Sequence, residues 1–369
     1  MSKIKKIVIN IAVIVLNIMY MPFKLLKTKN KVVYISRQSD TPSLDFLLLK
    51  EKLEKMENSV KQVILAKKIG KGIIGKVSYG FHIICQMYHI ATSKVVVVDT
   101  YVIPVSVLRH KKSLKIIQIW HALGAIKQFG YQVIGKKEGS SDTVANAMRM
   151  HKNYTAITCA SSETAKFYSE AFNTEIEKIK VIGMPRVDEI LGKNKNKEIL
   201  KQNPNYKNKK TILYIPTFRK NGTVNIQDII NNVDTEKYNL IIKLHPLDKA
   251  KVPDKYLIKG DFTTYDILKF SDYIITDYSA TAIEASLLQK PIFLYVYDIE
   301  EYSENRGLNI DLTQELKAST YVDIKDILKI IESGKYNYNE LREFRDKYVE
   351  THDQNNTKNI CKLIKEYLR

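Results

Sequence analysis

Four segments of the sequence place residues suited to phosphoryl transfer directly after apolar runs. They read IIQIWHALG (116–124), TILYIPTFR (211–219), LIIKLHP (240–246) and DYIITDYSATAIEASLLQKPIFLYVYD (272–298). Each apolar run predicts a buried β-strand, and ligands of open α/β sheets bind outside the carboxyl ends of the strands. Imidazole, guanidinium, ammonium and hydroxyl groups at that edge predict chemistry on a phosphorylated substrate.

The fourth segment has the pattern of half a nucleotide-binding α/β unit. A predicted strand at 273–276 ends at Asp277, and Ser279 and Thr281 lead into a helix with Glu284 in its first turn. The N-terminus of such a helix offers unpaired N–H groups and a positive dipole end to a phosphate. The same pattern also fits an ordinary crossover with a serine cap. Asp277 fits either a helix cap or a group that orients neighbours or bonds a ribose.

Six ordered motifs between about residues 95 and 312 resemble one family, the CDP-glycerol glycerophosphotransferases that build teichoic acids and related polyol-phosphate polymers. The motifs are WHALG (120–124), GMPRVD (183–188), YIPTFR (214–219), KLHP (243–246), TDYSA (276–280) and YDIEEYSENRG (297–307). The stretch WHALGAIKQFGY is more similar to primase-type members, which add the first glycerol phosphate to a lipid-linked disaccharide. Ala122 and Ala280 depart from the family pattern, where many members have Gly and Ser.

The resemblance implies transfer of glycerol phosphate from CDP-glycerol to a hydroxyl of a polyprenyl-diphosphate-linked saccharide, with release of CMP. Three alternatives stay open within enzymes: a CDP-ribitol donor, a polymerising role, and a nucleotide-sugar glycosyltransferase on the same frame. A non-enzymatic membrane scaffold is a fourth. Glycerol and ribitol are not distinguishable from these residues, and neither are wall polymer and capsule.

The motifs also imply roles for individual residues. His121 is expected to be the general base, since an imidazole with a pKa of about 6.5 suits proton transfer at neutral pH. Arg219 and His245 are expected to be catalytic because they can stabilise negative charge on the pyrophosphate oxygens. The expected substrate-binding residues are Gly124, Pro185, Arg186, Asp188, Thr217, Lys243, Asp277, Tyr278, Ser279, Ala280, Thr281, Glu284, Asp298 and Arg306.

Two of these assignments have structural alternatives. Arg186 and Asp188 fit equally well a structural ion pair at the domain boundary. The amides after Ser279 are expected to hold the leaving CMP phosphate, with Ser279 and Thr281 sharing the hydroxyl role. No D-x-D or dense carboxylate cluster indicates a resident metal, so no cofactor is expected, although Mg²⁺ carried by the substrate stays open.

Composition limits the class of protein. The chain has 369 residues, of which 44% are hydrophobic and 27% charged, which is typical of a globular protein with two domains. Its three cysteines are widely spaced and include no C-x-x-C. A disulfide framework and a zinc site are therefore not expected, in keeping with a reducing cytosol.

The net charge of +19 calls for an anionic partner. No RRM, zinc-finger or helix-turn-helix pattern is present, so we expect an anionic membrane surface rather than nucleic acid. Residues 7–23 carry no charge and lysines flank both ends. An in-plane anchor helix is favoured because 17 residues reach only roughly 25 Å; a true span, a core helix and a signal peptide are the alternatives. The expected location is the cytoplasmic face of the membrane, bound peripherally.

Alternating apolar runs and helical patterns predict an α/β fold with parallel sheets. The predicted strands are 32–36, 61–66, 94–98, 115–120, 154–158, 178–182, 211–215, 239–244, 273–276 and 291–295, with helices near 42–57, 74–91, 162–171 and 322–367. The fold expected is GT-B-like, with two Rossmann-like domains facing a cleft and an N-terminal apolar helix. The expected divisions are a membrane-associating segment 1–30, an acceptor-side domain 31–191, a linker 192–210 and a CDP-donor domain 211–369. The oligomeric state is not readable.

Overall fold

The computed structural model describes residues 2–136, 139–219, 224–245, 247–299 and 307–369. The chain forms two compact units. Unit 1 contains the residues up to Ala122, Gln128–Asp188 and Asp353–Arg369, and unit 2 contains Leu123–Lys127 and Glu189–His352.

Each unit is built on a parallel sheet, as the alternation of elements predicts. The sheet of unit 1 has the order β2-β1-β3-β4-β5-β6 and that of unit 2 the order β11-β10-β9-β7-β8. All ten predicted strands are confirmed, and the two-residue β11 was not predicted. The strands are β1 Lys29–Ser36, β2 Lys61–Ala66, β3 Ser93–Val98, β4 Lys115–Gln118, β5 Ala156–Cys159, β6 Ile179–Val181, β7 Lys210–Tyr214, β8 Tyr238–Ile242, β9 Tyr273–Thr276, β10 Ile292–Tyr295 and β11 Thr320–Tyr321.

Helices connect the strands. They are α1 Ser2–Leu25, α2 Leu44–Met56, α3 Gly72–Ala91, α4 Ile103–Val107, α5 Asp142–Ala147, α6 Ser162–Phe172, α7 Pro185–Ile190, α8 Asn196–Gln202, α9 Ile226–Asn232, α10 Thr264–Phe270, α11 Thr281–Ser286, α12 Leu312–Glu315, α13 Ile324–Ser333, α14 Tyr338–Tyr348 and α15 Asn356–Leu368. The predicted helical region 322–367 is thus three helices. Gly334, with φ +65°, ends the first of them in the left-handed conformation.

The last helix belongs to unit 1, which corrects the predicted domain 211–369. Ile360, Cys361 and Ile364 of α15 are fully buried and share a core with Phe46 and Leu49 of α2. Burial of these apolar side chains fixes the chain's end on the first sheet. The sequence pattern shows that α15 is amphipathic but does not show which sheet it covers.

The predicted linker 192–210 is also wrong in part. It contains α8, and Asn203 and Tyr206 are buried in unit 2. Lys195 Nζ lies 3.0 Å from Oδ2 of Asp266. The segment contains only a few apolar residues, such as Ile199 and Tyr206, among many lysines and asparagines. Its composition therefore predicts a linker, although the segment packs as part of unit 2.

Helix α1 covers the predicted apolar segment 7–23. By length and composition alone, Ile4–Leu25 is apolar enough to cross a membrane, with a mean hydropathy of 1.9. Only 6% of its most apolar stretch is buried, so the core-helix alternative is wrong.

One face of α1 nevertheless packs on unit 1. Tyr20 is buried with its hydroxyl 3.2 Å from Nδ1 of His110, and the Asn17 amide donates to the Val107 carbonyl (3.1 Å) and accepts from the Arg109 N–H (2.9 Å). The helix is therefore part of unit 1 and not a separate segment 1–30.

Candidate functional site

In unit 1, His121 lies just after the carboxyl end of β4. Trp120 has φ 55°, and its N–H donates to the Gln118 side chain at 2.8 Å, which turns the chain sharply at the strand end. The Nδ1 atom of His121 lies 3.0 Å from the backbone carbonyl of Asp99 at the end of β3. A carbonyl only accepts, so Nδ1 carries the proton and Nε2 presents its lone pair. That tautomer is the one a general base needs.

Burial changes the acidity of this histidine. Burial, with a smaller contribution from the charge of Arg186, lowers the pKa of His121 to about 4, although the hydrogen bond to the Asp99 carbonyl and the charge of Asp45 oppose the shift. The imidazole is therefore neutral at neutral pH. The expectation of an ordinary pKa near 6.5 is wrong, because sequence does not show that the ring is enclosed.

A pocket in unit 1 opens beside His121. Its volume is about 870 Å³, and Arg37, Tyr101, Trp120 and Phe129 are among the residues that line it with His121. Trp120 stacks on Phe129 with ring centroids 4.3 Å apart. The imidazole of His121 thus lines a space of the size that small-molecule ligands occupy, about 300–1,000 Å³.

The GMPRVD motif makes hydrogen bonds and an ion pair that connect separate parts of unit 1. The Arg186 guanidinium pairs with buried Asp45 at the start of α2, through Nε at 3.1 Å and through Nη2, and its N–H donates to the same carboxylate at 2.9 Å. The carboxylate of Asp188 accepts from the N–H groups of Asn356 (3.0 Å) and Thr357 (2.8 Å) and so caps α15.

These contacts favour the structural alternative for the motif. Arg186 and Asp188 have structural partners but do not pair with each other, and Pro185 is buried at the first position of α7. Their substrate-binding roles stay predictions. The partner carboxylate of Arg186 lies 141 residues earlier in the chain, so spacing gave no signal for it.

In unit 2, Arg219 lies between two carboxylates. Its guanidinium is 2.8 Å from Asp277 Oδ2 and 2.7 Å from Asp298 Oδ2, and only 9% of the side chain is exposed. It also stacks over the Tyr278 ring at 5.4 Å. Burial acts to lower the pKa of Arg219, but the two carboxylates outweigh it and raise that pKa. One cation between two anions does not attract a pyrophosphate, so the geometry argues against direct contact of Arg219 with the donor phosphates.

Thr217, Asp277 and Tyr278 complete this cluster. Both the N–H (2.9 Å) and the hydroxyl (2.6 Å) of Thr217 donate to Asp277. Burial raises the pKa of Asp277 against the opposing effect of Arg219. The Tyr278 hydroxyl lies 3.3 Å from Asp298 Oδ1. Asp277 therefore orients its neighbours, and it is not a helix cap, since Ala280 is the residue that precedes α11.

Lys243 and His245 follow β8. Burial lowers the pKa of Lys243, and no carboxylate among the described residues acts on it. His245 is exposed, and its Nδ1 accepts the N–H of Leu247 at 3.2 Å, so the neutral ring carries its proton on Nε2. An ammonium and an imidazole N–H are thus available at this strand end for an anionic ligand.

The Ser/Thr turn differs from its predicted form. Helix α11 has six residues, and the N–H groups from Thr281 to Glu284 already have partners. The N–H of Thr281 donates to Ser279 Oγ (3.2 Å), that of Ala282 to the Ser279 carbonyl (3.0 Å), and that of Glu284 to the Ala280 carbonyl (3.2 Å). The hydroxyls of Ser279 and Thr281 bond each other at 3.0 Å. The two hydroxyls can rotate toward a phosphate, and the expected phosphate role of the amides after Ser279 stays a prediction.

Two further predicted residues are structural. The carboxylate of Glu284 accepts from the Tyr265 hydroxyl at 2.8 Å and is 9% exposed, which leaves it poorly placed for a ribose. Gly124 has φ +79°, and a Cβ there would lie 2.5 Å from Cδ1 of Ile283, so it provides a turn and close packing. Arg306 lies outside the described residues. Within the described ranges no group of three or more His, Cys, Asp or Glu side chains could hold a metal ion.

An exposed apolar face on α3 was missed. Ile73, Ile74, Val77 and Phe81 are 82%, 86%, 55% and 70% exposed. Phe23 of α1 packs edge-to-face on Tyr88 of α3 with centroids 6.4 Å apart, so the two helices are neighbours. Helical periodicity was visible in the sequence, but periodicity does not tell a buried face from an exposed one.

The sequence matches known proteins over most of its length. The profile of one family, CDP-Glycerol:Poly(glycerophosphate) glycerophosphotransferase, matches residues 18–366. A teichoic acid ribitol-phosphate primase of Bacillus spizizenii is 29% identical over 357 residues, 92% of each chain. A teichoic acid glycerol-phosphate primase of Bacillus subtilis is 30% identical over 298 residues, 78% of this chain and 77% of the other.

The fold also has solved counterparts. The Wall Teichoic Acid Polymerase TagF, as an H444N variant soaked with CDPG, superposes with a TM-score of 0.75 at 18% identity, covering 99% of this chain and 97% of that one. A UDP-GlcNAc 2-epimerase from Neisseria meningitidis reaches a TM-score of 0.58 at 15% identity, covering 91% of this chain and 100% of that one. At these identities the likeness concerns the fold alone.

Proposed function

Because the chain belongs to the CDP-Glycerol:Poly(glycerophosphate) glycerophosphotransferase family, we propose that it transfers glycerol phosphate from CDP-glycerol to a hydroxyl of a lipid-linked saccharide and releases CMP. The observation that carries this proposal is His121, a half-buried neutral imidazole whose proton is held on Nδ1 by a backbone carbonyl and whose Nε2 is free to act as a base beside a ligand-sized pocket. The family match favours phosphoryl transfer over sugar transfer and over a scaffold role.

In the proposed reaction, the acceptor oxygen attacks the phosphorus that carries glycerol. His121 Nε2 takes the hydroxyl proton, the bond from that phosphorus to the CMP oxygen breaks, and CMP leaves with the electron pair. Positioning and charge stabilisation carry most of the catalysis in phosphoryl transfer. The general base is expected to contribute about 10²–10⁴-fold.

Unit 2 supplies the groups for the donor. Lys243, half-buried without a carboxylate partner among the described residues, and the Nε2–H of His245 would bind pyrophosphate oxygens. The Ser279 and Thr281 hydroxyls would add hydrogen bonds. Arg219 acts indirectly, because it fixes Asp277 and Asp298 and through them the two loops that follow β9 and β10.

We place the protein peripherally at the cytoplasmic face of a membrane. The neighbouring helices α1 and α3 both expose apolar side chains, which we call the apolar surface: Ile4, Ile7, Ile11, Ile18, Ile73, Ile74, Val77 and Phe81. Lysines flank both helices, which suits an anionic lipid surface. The packing of Asn17 and Tyr20 on unit 1 supports an in-plane helix rather than a span. Teichoic acid acceptors are lipid-linked, so this surface would bring the enzyme to its substrate.

A CDP-ribitol donor is the second candidate. The ribitol-phosphate primase of Bacillus spizizenii covers 92% of this chain, more than the glycerol-phosphate primase of Bacillus subtilis at 78%.

The test is release of CMP by purified protein supplied with a lipid-linked disaccharide diphosphate, with CDP-glycerol and CDP-ribitol compared side by side. We expect acceptor-dependent CMP release from CDP-glycerol, and a loss of about 10²–10⁴-fold in His121→Asn. His352→Asn is the matched control, since His352 is an exposed histidine beside Asp346.

Each contrary result has a distinct meaning. Turnover with CDP-ribitol alone would replace the donor and keep the mechanism. An unchanged rate in His121→Asn would remove its role as base. Sugar transfer from a nucleotide sugar, with both polyol donors inert, would overturn the proposed function.

A further inference from the structure

A groove of unit 1 lies between helices α1 and α5 and has a volume of about 780 Å³. Asn10, Ile14 and Asn17 of α1 are among its lining residues, and their spacing of four and three places them on one helical face. The groove shares no lining residue with the pocket beside His121. It is therefore a second cavity of ligand size, and the proposed reaction does not use it.

The charged residues that line this groove are all cations: Lys6, Lys24, Arg109 and Arg149. No carboxylate is among the described lining residues, and none of the four charged groups has an ion-pair partner in the described parts of the chain. Asp142, the one carboxylate of α5, accepts from the Asn146 amide at 2.8 Å and lies outside the lining. The groove is therefore positively charged and favours an anionic ligand.

Three of these cations lie near the C-terminal end of α1. Lys24 belongs to the last turn of the helix, and the Arg109 N–H donates to Asn17 Oδ1 at 2.9 Å. The charges of Lys24 and Arg149 both act on His110. Burial lowers the pKa of His110 to about 4, and the two charges add to the shift, although a backbone hydrogen bond opposes it. An anion placed among these cations would be attracted by all three.

Arg149 has an uncommon backbone conformation. It follows α5 with φ 49°, in the left-handed region that residues other than Gly, Asn and Asp seldom adopt, and its N–H donates to the Asn146 carbonyl at 3.1 Å. Backbone strain of this kind is found most often where a residue serves a ligand site. Here the strained residue presents one of the unpaired cations to the groove.

The rest of the α1 wall is apolar and continues onto the protein surface. Ile14, Ile18 and Met21 line the groove and are 58%, 59% and 63% exposed. Ile18 is also part of the apolar surface. A ligand that satisfies the whole groove therefore needs an anionic head group and an apolar chain, which is the chemistry of a membrane lipid.

We propose that this groove binds one anionic phospholipid molecule of the membrane. Its phosphate lies among Lys24, Arg109 and Arg149, and an acyl chain follows Ile18 and Ile14 toward the apolar surface. This site differs from the general attraction of lysines to an anionic surface, because it has a fixed stoichiometry and depends on particular residues. The proposal adds to the membrane placement under the proposed function and does not depend on the reaction, so its test needs no turnover.

The test uses short-chain phospholipids below the concentration at which they form micelles, so that no lipid surface is present. In calorimetric titrations of the full chain, dihexanoyl phosphatidylglycerol should bind saturably, one molecule per chain. Dihexanoyl phosphatidylcholine has the same chains but no net charge, and it should bind about 10-fold more weakly or worse. Glycerol phosphate has the anionic group without the chains, and it should also bind more weakly, since it buries no apolar surface.

Variants connect the binding to the groove. Arg109→Gln and Arg149→Gly should each weaken phosphatidylglycerol binding by about 10-fold or more and leave phosphatidylcholine binding unchanged. Arg149→Gly should not lower the melting temperature, because glycine adopts φ 49° without a Cβ clash. Ile14→Gln, at an exposed position, should weaken binding of both lipids. Arg342→Gln, at an exposed arginine of α14, is the charge-matched control and should change nothing.

The outcomes separate this site from its alternatives. Equal affinity for the two lipids, or phosphatidylglycerol binding that neither arginine variant weakens, would overturn the site. Glycerol phosphate binding as tight as that of the lipid would make the groove a site for a free phosphate and overturn the lipid assignment. Binding that does not saturate at one molecule per chain would mean adsorption to the apolar surface and would also overturn it.

Failure of this proposal and failure of the proposed function are distinguishable. Lipid binding that depends on Arg109 and Arg149, without CMP release from any polyol donor, would keep the lipid site and remove the proposed function. Acceptor-dependent CMP release without lipid binding would do the reverse.

Discussion

The strand-end clusters of the two units contain the same residue types, and in each of them some basic groups are paired with carboxylates while others are open. In unit 1, Arg186 is held by Asp45, and the proposed base His121 makes its hydrogen bond through Nδ1, which leaves Nε2 free. In unit 2, Arg219 is held by Asp277 and Asp298. Each unit thus has one arginine that pairs with carboxylates at the sheet edge, which we call a brace, and other polar groups that are available to bind ligands.

This difference shows that a basic residue at a strand end is available only if no carboxylate reaches it. The carboxylates that occupy the arginines lie far away in sequence, 141 residues from Arg186 in the case of Asp45 and 79 residues from Arg219 in the case of Asp298. Arg37 and Lys243 have no such partner among the described residues. We therefore expect replacement of a brace, Arg186 or Arg219, to lower the stability of the fold. Replacement of an open cation, which has no carboxylate partner, should weaken ligand binding.

Replacement of a brace should have the largest effect on folding. Arg219→Ala leaves two buried carboxylates without their cation, and we expect the free energy of unfolding to fall by about 3–5 kcal/mol in urea titrations. Arg342→Ala, at an exposed arginine of α14, should change it little. Unchanged stability together with lost turnover would make Arg219 a catalytic residue and break the comparison.

Replacement of an open cation should change binding instead. Lys243→Gln should raise the KM for CDP-glycerol by about 10–100-fold, as expected for loss of a charged hydrogen bond. Stability should not fall, because burying the charge disfavours the folded state and lowers the pKa of Lys243. Lys237→Gln, at an exposed lysine of the same unit, serves as control. A loss of stability equal to that of Arg219→Ala would identify Lys243 as another brace.

The pH profile tests how His121 is enclosed. The neutral base form of an imidazole with an ordinary pKa of about 6.5 would fall about 25-fold between pH 7 and pH 5. With its pKa lowered to about 4 by burial, His121 stays mostly neutral at pH 5. We expect acceptor-dependent kcat/KM to fall only near pH 4, measured over a range in which thermal unfolding confirms that the protein is folded. An acid limb at pH 6.5 would mean that His121 is solvated or is not the base.

The smallest effect is expected at the cap of α15. Asp188→Ala removes the acceptor for the Asn356 and Thr357 N–H groups and should cost about 0.5–2 kcal/mol of stability. Asp188→Asn should recover part of it, since its amide oxygen still accepts. Turnover well below the melting temperature should be unchanged in both. A raised substrate KM in Asp188→Ala at full stability would restore the binding role expected from the motif.

The sequence predicted the regular elements well because their signal is local. Apolar runs of four to eight residues bounded by turn residues located ten strands, and side-chain burial on both faces of a parallel sheet produces such runs. The sequence did not predict β11 and α8, which are two and seven residues long, because elements this short contain too few residues to show a hydrophobic period. It also failed for α15, since an amphipathic helix does not record which sheet it covers.

The sequence by itself determined the kinds of elements, their parallel arrangement and the motifs that identify the family, because these depend on residue types at short spacing. Only the tertiary structure decided which charged groups are free, which face of α3 is exposed and how acidic His121 is. Those properties depend on distances between residues far apart in the chain and on exclusion of water, and ion pairing and desolvation change steeply with both.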